Sequence, residues 1–274
     1  MVRRFGILLL LLFLSGTAVS YELAQIEFIG FSADGRYLAW EEYGIQDVTG
    51  YPYSTVSIVD TAVDSIVAVE SAVFEQSEPD IEPGQNIRGI FDEYLDNAEN
   101  EYRYWEERAR GIAMARIEGL IGTLGIIPGN YGRLVLHHPM TDRTNYSASI
   151  QFVTGWDGPW YKTSPQFEVL LEQEEIPETA EVQEHPFLNV LLTVKLQNTT
   201  DRTQTVLLDE MAAGAPSMDA FTYGVRSVYV YRDSVVAIVL YRYMNGQDGP
   251  DVHYRVVAGR LPFYEPAYRT STGG

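Results

Sequence analysis

Three kinds of residue in this chain could do chemistry: acids in glycine-rich loops, tyrosines beside those loops, and four histidines. The loop NGQDGPD places Asn245, Asp248 and Asp251 on a glycine-rich segment, and calcium accepts hard oxygen ligands on such segments. The spacing is not that of the helix–loop–helix calcium motif. Asp and Gly also belong in hairpin turns for conformational reasons, which is the preferred reading of all three. An earlier loop, IQDVTGYPY, repeats the Gln-Asp pair: Gln46 and Asp47 correspond to Gln247 and Asp248. Tyr51 and Tyr53 flank the first pair and Tyr254 follows the second. Tyrosine offers an apolar face and a polar edge, so two such loops could grip a protein segment or a surface polymer. Tyrosine also fills strand pairs, and packing explains most of the 19 in this chain.

Other chemistries are thinly supplied. There is no cysteine, which removes thiol catalysis, thiolate metal sites and disulfides. GAPSM around Ser217 lacks the second glycine of a nucleophile elbow. His137 and His138 are neighbours on an expected strand and point to opposite faces; His185 and His253 stand alone. Glu41-Glu42 and Glu174-Glu175 alternate in the same way. A hydrolase built on paired carboxylates remains an alternative, because sequence spacing says nothing about distance across a fold. No cofactor motif is present; calcium is the one cofactor the loops could admit, and a calcium-stabilised structural protein is a further alternative.

The elements that would carry these residues come next. IEFIGF, SADG and RYLAWEEYG read as strand, turn and strand, with Asp34 bonding back to the turn and Gly35 taking positive φ. STVSIVD and SIVAVE add two strands, so residues 21–70 read as a four-stranded meander the size of one propeller blade. EQSEPDIEPGQN is a linker. Ile87, Phe91, Leu95, Ala98, Tyr102, Trp105, Ala109, Ile112, Leu120 and Leu124 recur at helical steps, predicting one long helix over residues 86–124 laid across a sheet. Strands return over residues 132–262, beginning with RLVLHHP and ending in VRSVYVYRDSVVAIVLYRYMNGQDGPDVHYRVVAGRLP. Only the first meander and the block 225–262 resemble each other, so the repeat of a regular propeller is missing. The expected fold is mainly β (α+β): antiparallel meanders with blade-like terminal blocks lying side by side and one amphipathic helix.

The chain opens with Arg3 and Arg4, an apolar run from Phe5 to Leu14 and a small-residue exit before Tyr21. This is the three-part layout of a secretory signal peptide over residues 1–20, and the run is too short to span a bilayer. Residues 21–262 then form one β-rich domain and 263–274 a tail. The net charge of −19, two units more negative after cleavage, repels nucleic acid and anionic lipid.

FIGFSADGRYLAWEEYGIQDVTGYPYSTVSIVD, and at the other end GPDVHYRVVAGRLP, resemble the opening and closing signatures of a bacterial family, domain of unknown function 2259. Its members are described as predicted secreted proteins. The resemblance implies an exported bacterial protein and brings no activity and no catalytic residues. The reading taken into the structure is a non-enzymatic binding module, periplasmic or secreted. Its partner would be a protein or surface polymer of the cell envelope, without nucleic acid and without stable membrane insertion.

Overall fold

The SADG turn does what its residues require. The Arg36 N–H donates to Asp34 Oδ1 at 3.0 Å, Ser32 Oγ donates to the same oxygen at 2.7 Å, and Gly35 takes φ 74°. In this computed structural model the turn joins β1 (Gln25–Phe31) to β2 (Tyr37–Ile45). The structure describes residues 24–46, 49–74, 87–138, 149–154, 166–176, 190–214, 220, 222–232, 234–245 and 250–262, with 87–102, 245 and 250 in backbone course only.

β3 (Pro52–Asp60) and β4 (Ser65–Val73) follow, and β1-β2-β3-β4 form an antiparallel meander, here sheet I. The helix α1 (Ile87–Thr123) comes next, within a residue of its expected bounds at each end. β5 (Arg133–His137) then leads to β6 (Ser149–Val153), β7 (Gln166–Glu175), β8 (Val190–Asn198) and β9 (Gln204–Asp209). The last four form sheet III in chain order, a second meander where the sequence reads only as unrelated hairpins. After a short helix α2 (Glu210–Ala213), β10 (Thr222–Tyr231), β11 (Val235–Asn245) and β12 (Pro250–Arg260) form sheet II. β5 completes it in the order β12-β11-β10-β5, a pairing of strands far apart in the chain that no local signal announces.

The sheets stack as layers because each strand has to bury what its alternation exposes. Phe28, Phe31, Leu38 and Trp40 of sheet I pack against Tyr231, Val239, Tyr241 and Tyr254 of sheet II. The opposite face of sheet II sends Val236, Ile238 and Leu240 onto Phe167, Leu192 and Leu196 of sheet III. β11 is therefore apolar on both faces, which explains its near-continuous run VVAIVLY. The two terminal blocks lie against each other, face to face.

α1 covers the outer face of sheet I. Ala109, Ala113, Ile117 and Ile121 are its buried row, and the last three meet Ala39, Val56 and Ile58. This row shares Ala109 with the stripe read from the sequence and then departs from it: Ile112, Leu120 and Leu124 flank the row and are only partly buried. Alanine adds little to a hydrophobic pattern, yet its small side chain lets a helix seat closely on a sheet. Arg110 fixes the seat, donating from Nε and Nη2 to Glu41 Oε2 (3.0 and 2.7 Å) and from Nη2 to Glu27 Oε2 (2.6 Å). Its guanidinium lies 4.0 Å from the Tyr43 ring centroid. Those contacts with Glu41 and Glu27 hold it protonated against the cost of burial, raising its pKa.

Candidate functional site

β12 is an edge strand of sheet II, and an edge presents N–H and C=O groups with no strand to take them. Side chains from sheet I meet two of its N–H groups. The Tyr254 N–H donates to Glu42 Oε2 at 2.6 Å, and the Ala258 N–H donates to Asp64 Oδ1 at 2.8 Å. Nearby, the Ala24 N–H donates to the Val252 carbonyl at 3.0 Å.

Between these carboxylates, sheet I and the β12 edge enclose a cleft of about 400 Å³. That is near the small end of the roughly 300–1,000 Å³ typical of ligand sites. Trp40, Thr55, Ser57 and Val59 line the sheet I side, with Ile66 and Val69 of β4. Tyr254 and Val256 form the opposing wall, and Arg242, Arg255 and Leu208 close the back.

The charges in the cleft have unequal partners. Glu42 also meets His253 Nδ1 at 2.9 Å, and Arg255 Nη1 donates to the buried Glu210 at 2.7 Å. Glu210 in turn accepts the Leu192 N–H at 2.9 Å, so that pair is tied into sheet III. Arg242 differs: its Nε is buried and, among the described residues, has no hydrogen-bond partner. Asp64 is held in the left-handed region at φ 47°. Burial pushes its carboxyl up from 3.8 to about 6, against the opposing pull of the Ala258 N–H and of Arg255. Burial also raises the Tyr254 phenol to about 12.

Tyr254 and Ala258 are four residues apart. At about 3.4 Å per residue, the carboxylates bonded to them stand on the order of 13 Å apart. The acid pair of a glycosidase stands closer, at roughly 5–10 Å. Glu41, the neighbour of Glu42, points to the helix side and binds Arg110.

The residues singled out in the sequence are distributed unevenly. Tyr53 and Tyr254 are both buried in the core between sheets I and II, with Tyr53 Oη 3.5 Å from His253 Nδ1. That contact puts the β2–β3 and β11–β12 hairpins at the same end of the sandwich. Gln46 and Tyr51 close the first hairpin: the Gln46 N–H donates to the Tyr51 carbonyl at 3.0 Å, and Thr49 Oγ1 donates to Gln46 Oε1 at 2.7 Å. Asp47, Gln247 and Asp248 lie outside the described residues, as do His185, Ser217 and the segments read as signal peptide and tail. Of the calcium candidates, Asn245 is described in backbone course only, and Asp251 stands opposite Met244 on β12. Among the described residues no three His, Asp or Glu side chains form a metal-holding group. His137 Nδ1 meets Ser227 Oγ at 2.9 Å, while the His138 carbonyl accepts from Tyr241 Oη at 3.0 Å.

A profile of domain of unknown function 2259, described as a predicted secreted protein, matches residues 39–260. The chain belongs to this family. A search of the curated proteins finds no match. The matched span of this family chain runs from β2 to the end of β12 and so contains both walls of the cleft. No helix among the described residues is long and apolar enough to cross a membrane. Sequence reasoning missed Trp40, Asp64, Arg242, Arg255 and Val256 as site residues. Of the cleft-lining residues, Glu42 and Tyr254 drew notice, and nothing in the sequence ties Glu42 to a histidine 211 positions away.

Proposed function

We propose that this protein is a non-catalytic binding module of the cell envelope or exterior, and that its ligand sits in the cleft beside β12. The observation that carries the reading is Arg242, which lines a cleft of ligand size and whose buried Nε has no hydrogen-bond partner among the described residues. A buried donor without an acceptor costs about 1–3 kcal/mol, and a bound ligand can supply the acceptor. An unfavourable charge sits in the same place, at Asp64, as it does where function rather than stability sets the residue. Catalysis by the cleft acids is disfavoured by their separation and by the bonds that occupy Glu42. The acidic surface favours a protein or polymer partner bearing cations over nucleic acid. Tyr53 and Tyr254 brace the wall, and Gln46 and Tyr51 close the β2–β3 hairpin at the Glu42 end.

The test is capture from envelope extract with the protein and with Arg242→Met as paired baits. A partner retained by the wild type and lost at least about tenfold by the variant is expected. A specific partner held equally by both baits places the ligand elsewhere and removes the cleft reading.

A further inference from the structure

One wall of the cleft is a strand edge with a gap in its capping. β11 and β12 pair in unbroken register from Val235↔Arg260 to Asn245↔Pro250. In such a ladder, residues alternate between facing the partner strand and facing away. Tyr254 and Ala258 direct their N–H groups to carboxylates outside sheet II, and Val252 directs its carbonyl to Ala24. Even-numbered residues of β12 therefore face outward, Val256 among them. Val256 is only 5% exposed and lines the cleft. Among the described residues, none accepts its N–H or donates to its carbonyl. Buried backbone groups are rarely left so.

Resting on the cleft reading above, we infer that the ligand is a short extended polypeptide that adds to β12 as an antiparallel strand opposite Val256. One ligand residue exchanges both N–H···O bonds with Val256, the narrow pair of an antiparallel ladder. The neighbours two positions away would need the β12 groups at Tyr254 and Ala258, and carboxylates already hold those N–H groups. The window therefore accepts about three residues, roughly 10 Å of strand, between carboxylates on the order of 13 Å apart. Direction follows from charge. Antiparallel addition puts the ligand's amino end beside Asp64. Its carboxyl end then comes to the Tyr254 end, where Arg242 stands opposite His253 in register. Glu42 repels little there, because the Tyr254 N–H and His253 already engage it. Trp40, Ile66 and Val69 offer apolar surface to the ligand side chain facing sheet I.

The experiment titrates isotope-labelled protein with a free tripeptide library and reads amide and indole resonances by NMR. The same library N-methylated at its central residue is the control. The unmodified library is expected to move Val256 and Asp64, and N-methylation to abolish the shift. Arg242→Met weakens the response about tenfold. Val256→Pro removes the outward N–H while sparing the ladder to β11, and is expected to lose binding with the rest of the spectrum intact. If that variant does not fold, the N-methylated library decides alone. Equal shifts from both libraries, or no shift at Val256 from either, overturn strand addition. A cell-wall glycan mixture that moves Trp40 and Tyr254 when the peptides do not would leave the cleft reading standing and sink this one. Silence of every cleft resonance towards all probes removes both.

Discussion

Replacing Asp64 with Asn should make the protein more stable at neutral pH and slightly less stable in acid. Burial raises the Asp64 carboxyl from 3.8 to about 6. Each tenfold change in an ionisation constant is worth about 1.4 kcal/mol, so ionised Asp64 costs the fold up to about 3 kcal/mol. The folded state holds the proton more tightly than the unfolded chain. Stability is therefore full below pH 3.8, falls as pH rises through the interval, and stays low above about 6. Asparagine keeps the acceptor for the Ala258 N–H and is among the few residues at ease at φ 47°. Its amide N–H groups also dislike burial, by about 1 kcal/mol, so the net gain at pH 7.5 should be about 1–2 kcal/mol. For a chain of this size, that lifts Tm by about 2–8 °C. Thermal unfolding of both proteins at pH 4 and pH 7.5 measures it. A variant no more stable at pH 7.5, or a gain equal at the two pH values, would refute the reasoning.

Two further substitutions test the frame around the site. Arg110→Met should leave Glu41, whose side chain is 4% exposed, with Ser54 alone, and should cost about 3–5 kcal/mol. Adding Glu41→Gln to that variant should restore much of the loss, and urea unfolding of the four proteins in the cycle would show it. Gly35→Ala should destabilise by at least about 1–2 kcal/mol, because φ is 74° and a Cβ would lie 2.8 Å from Tyr231 Cδ1.

How far the fold is legible depends on how local each cause is. Asp34 and Gly35 announce their turn because the bond and the dihedral lie within four residues. The length of α1 is legible from its period, but the row Ala113, Ile117 and Ile121 that seats it is not, since close approach depends on the sheet beneath. The apolar run of β11 signals burial on both faces; which sheets do the burying is a property of the stack. β5 joins β10 across the whole of sheet III, and nothing in RLVLH specifies that partner. The site is less legible still. Its residues come from β2, the β3–β4 turn, β11 and β12, and Asp64 matters only because the turn carries it to Ala258, 194 positions on. Tyr53 and Tyr254, noticed as flanks of the Gln-Asp loops, stand on β3 and β12, and the cleft is lined by positions further along those strands as well.

The edge of β12 makes the placement of the two carboxylates intelligible. An unprotected edge invites strand after strand, and proteins guard such edges with charges. Glu42 and Asp64 perform that guard at two N–H groups, and either would be cheaper to replace by a residue that does not bury a carboxylate. Asp64 in particular carries both a left-handed backbone and a charge that burial opposes. A guard meant only to prevent association would gain by covering Val256 as well, since its N–H and C=O are what another chain would seek. Leaving that one residue open between two closed ones fits a selective opening, long enough for a few residues of extended chain and too short for a full strand. On this reasoning, Asp64→Asn gains stability without unguarding the edge, because the Ala258 N–H keeps its acceptor. Asp64→Ala uncovers that N–H, lengthens the exposed edge and should promote concentration-dependent self-association. Sedimentation of the two variants side by side separates the cases, and equal self-association in both would argue that Asp64 guards nothing.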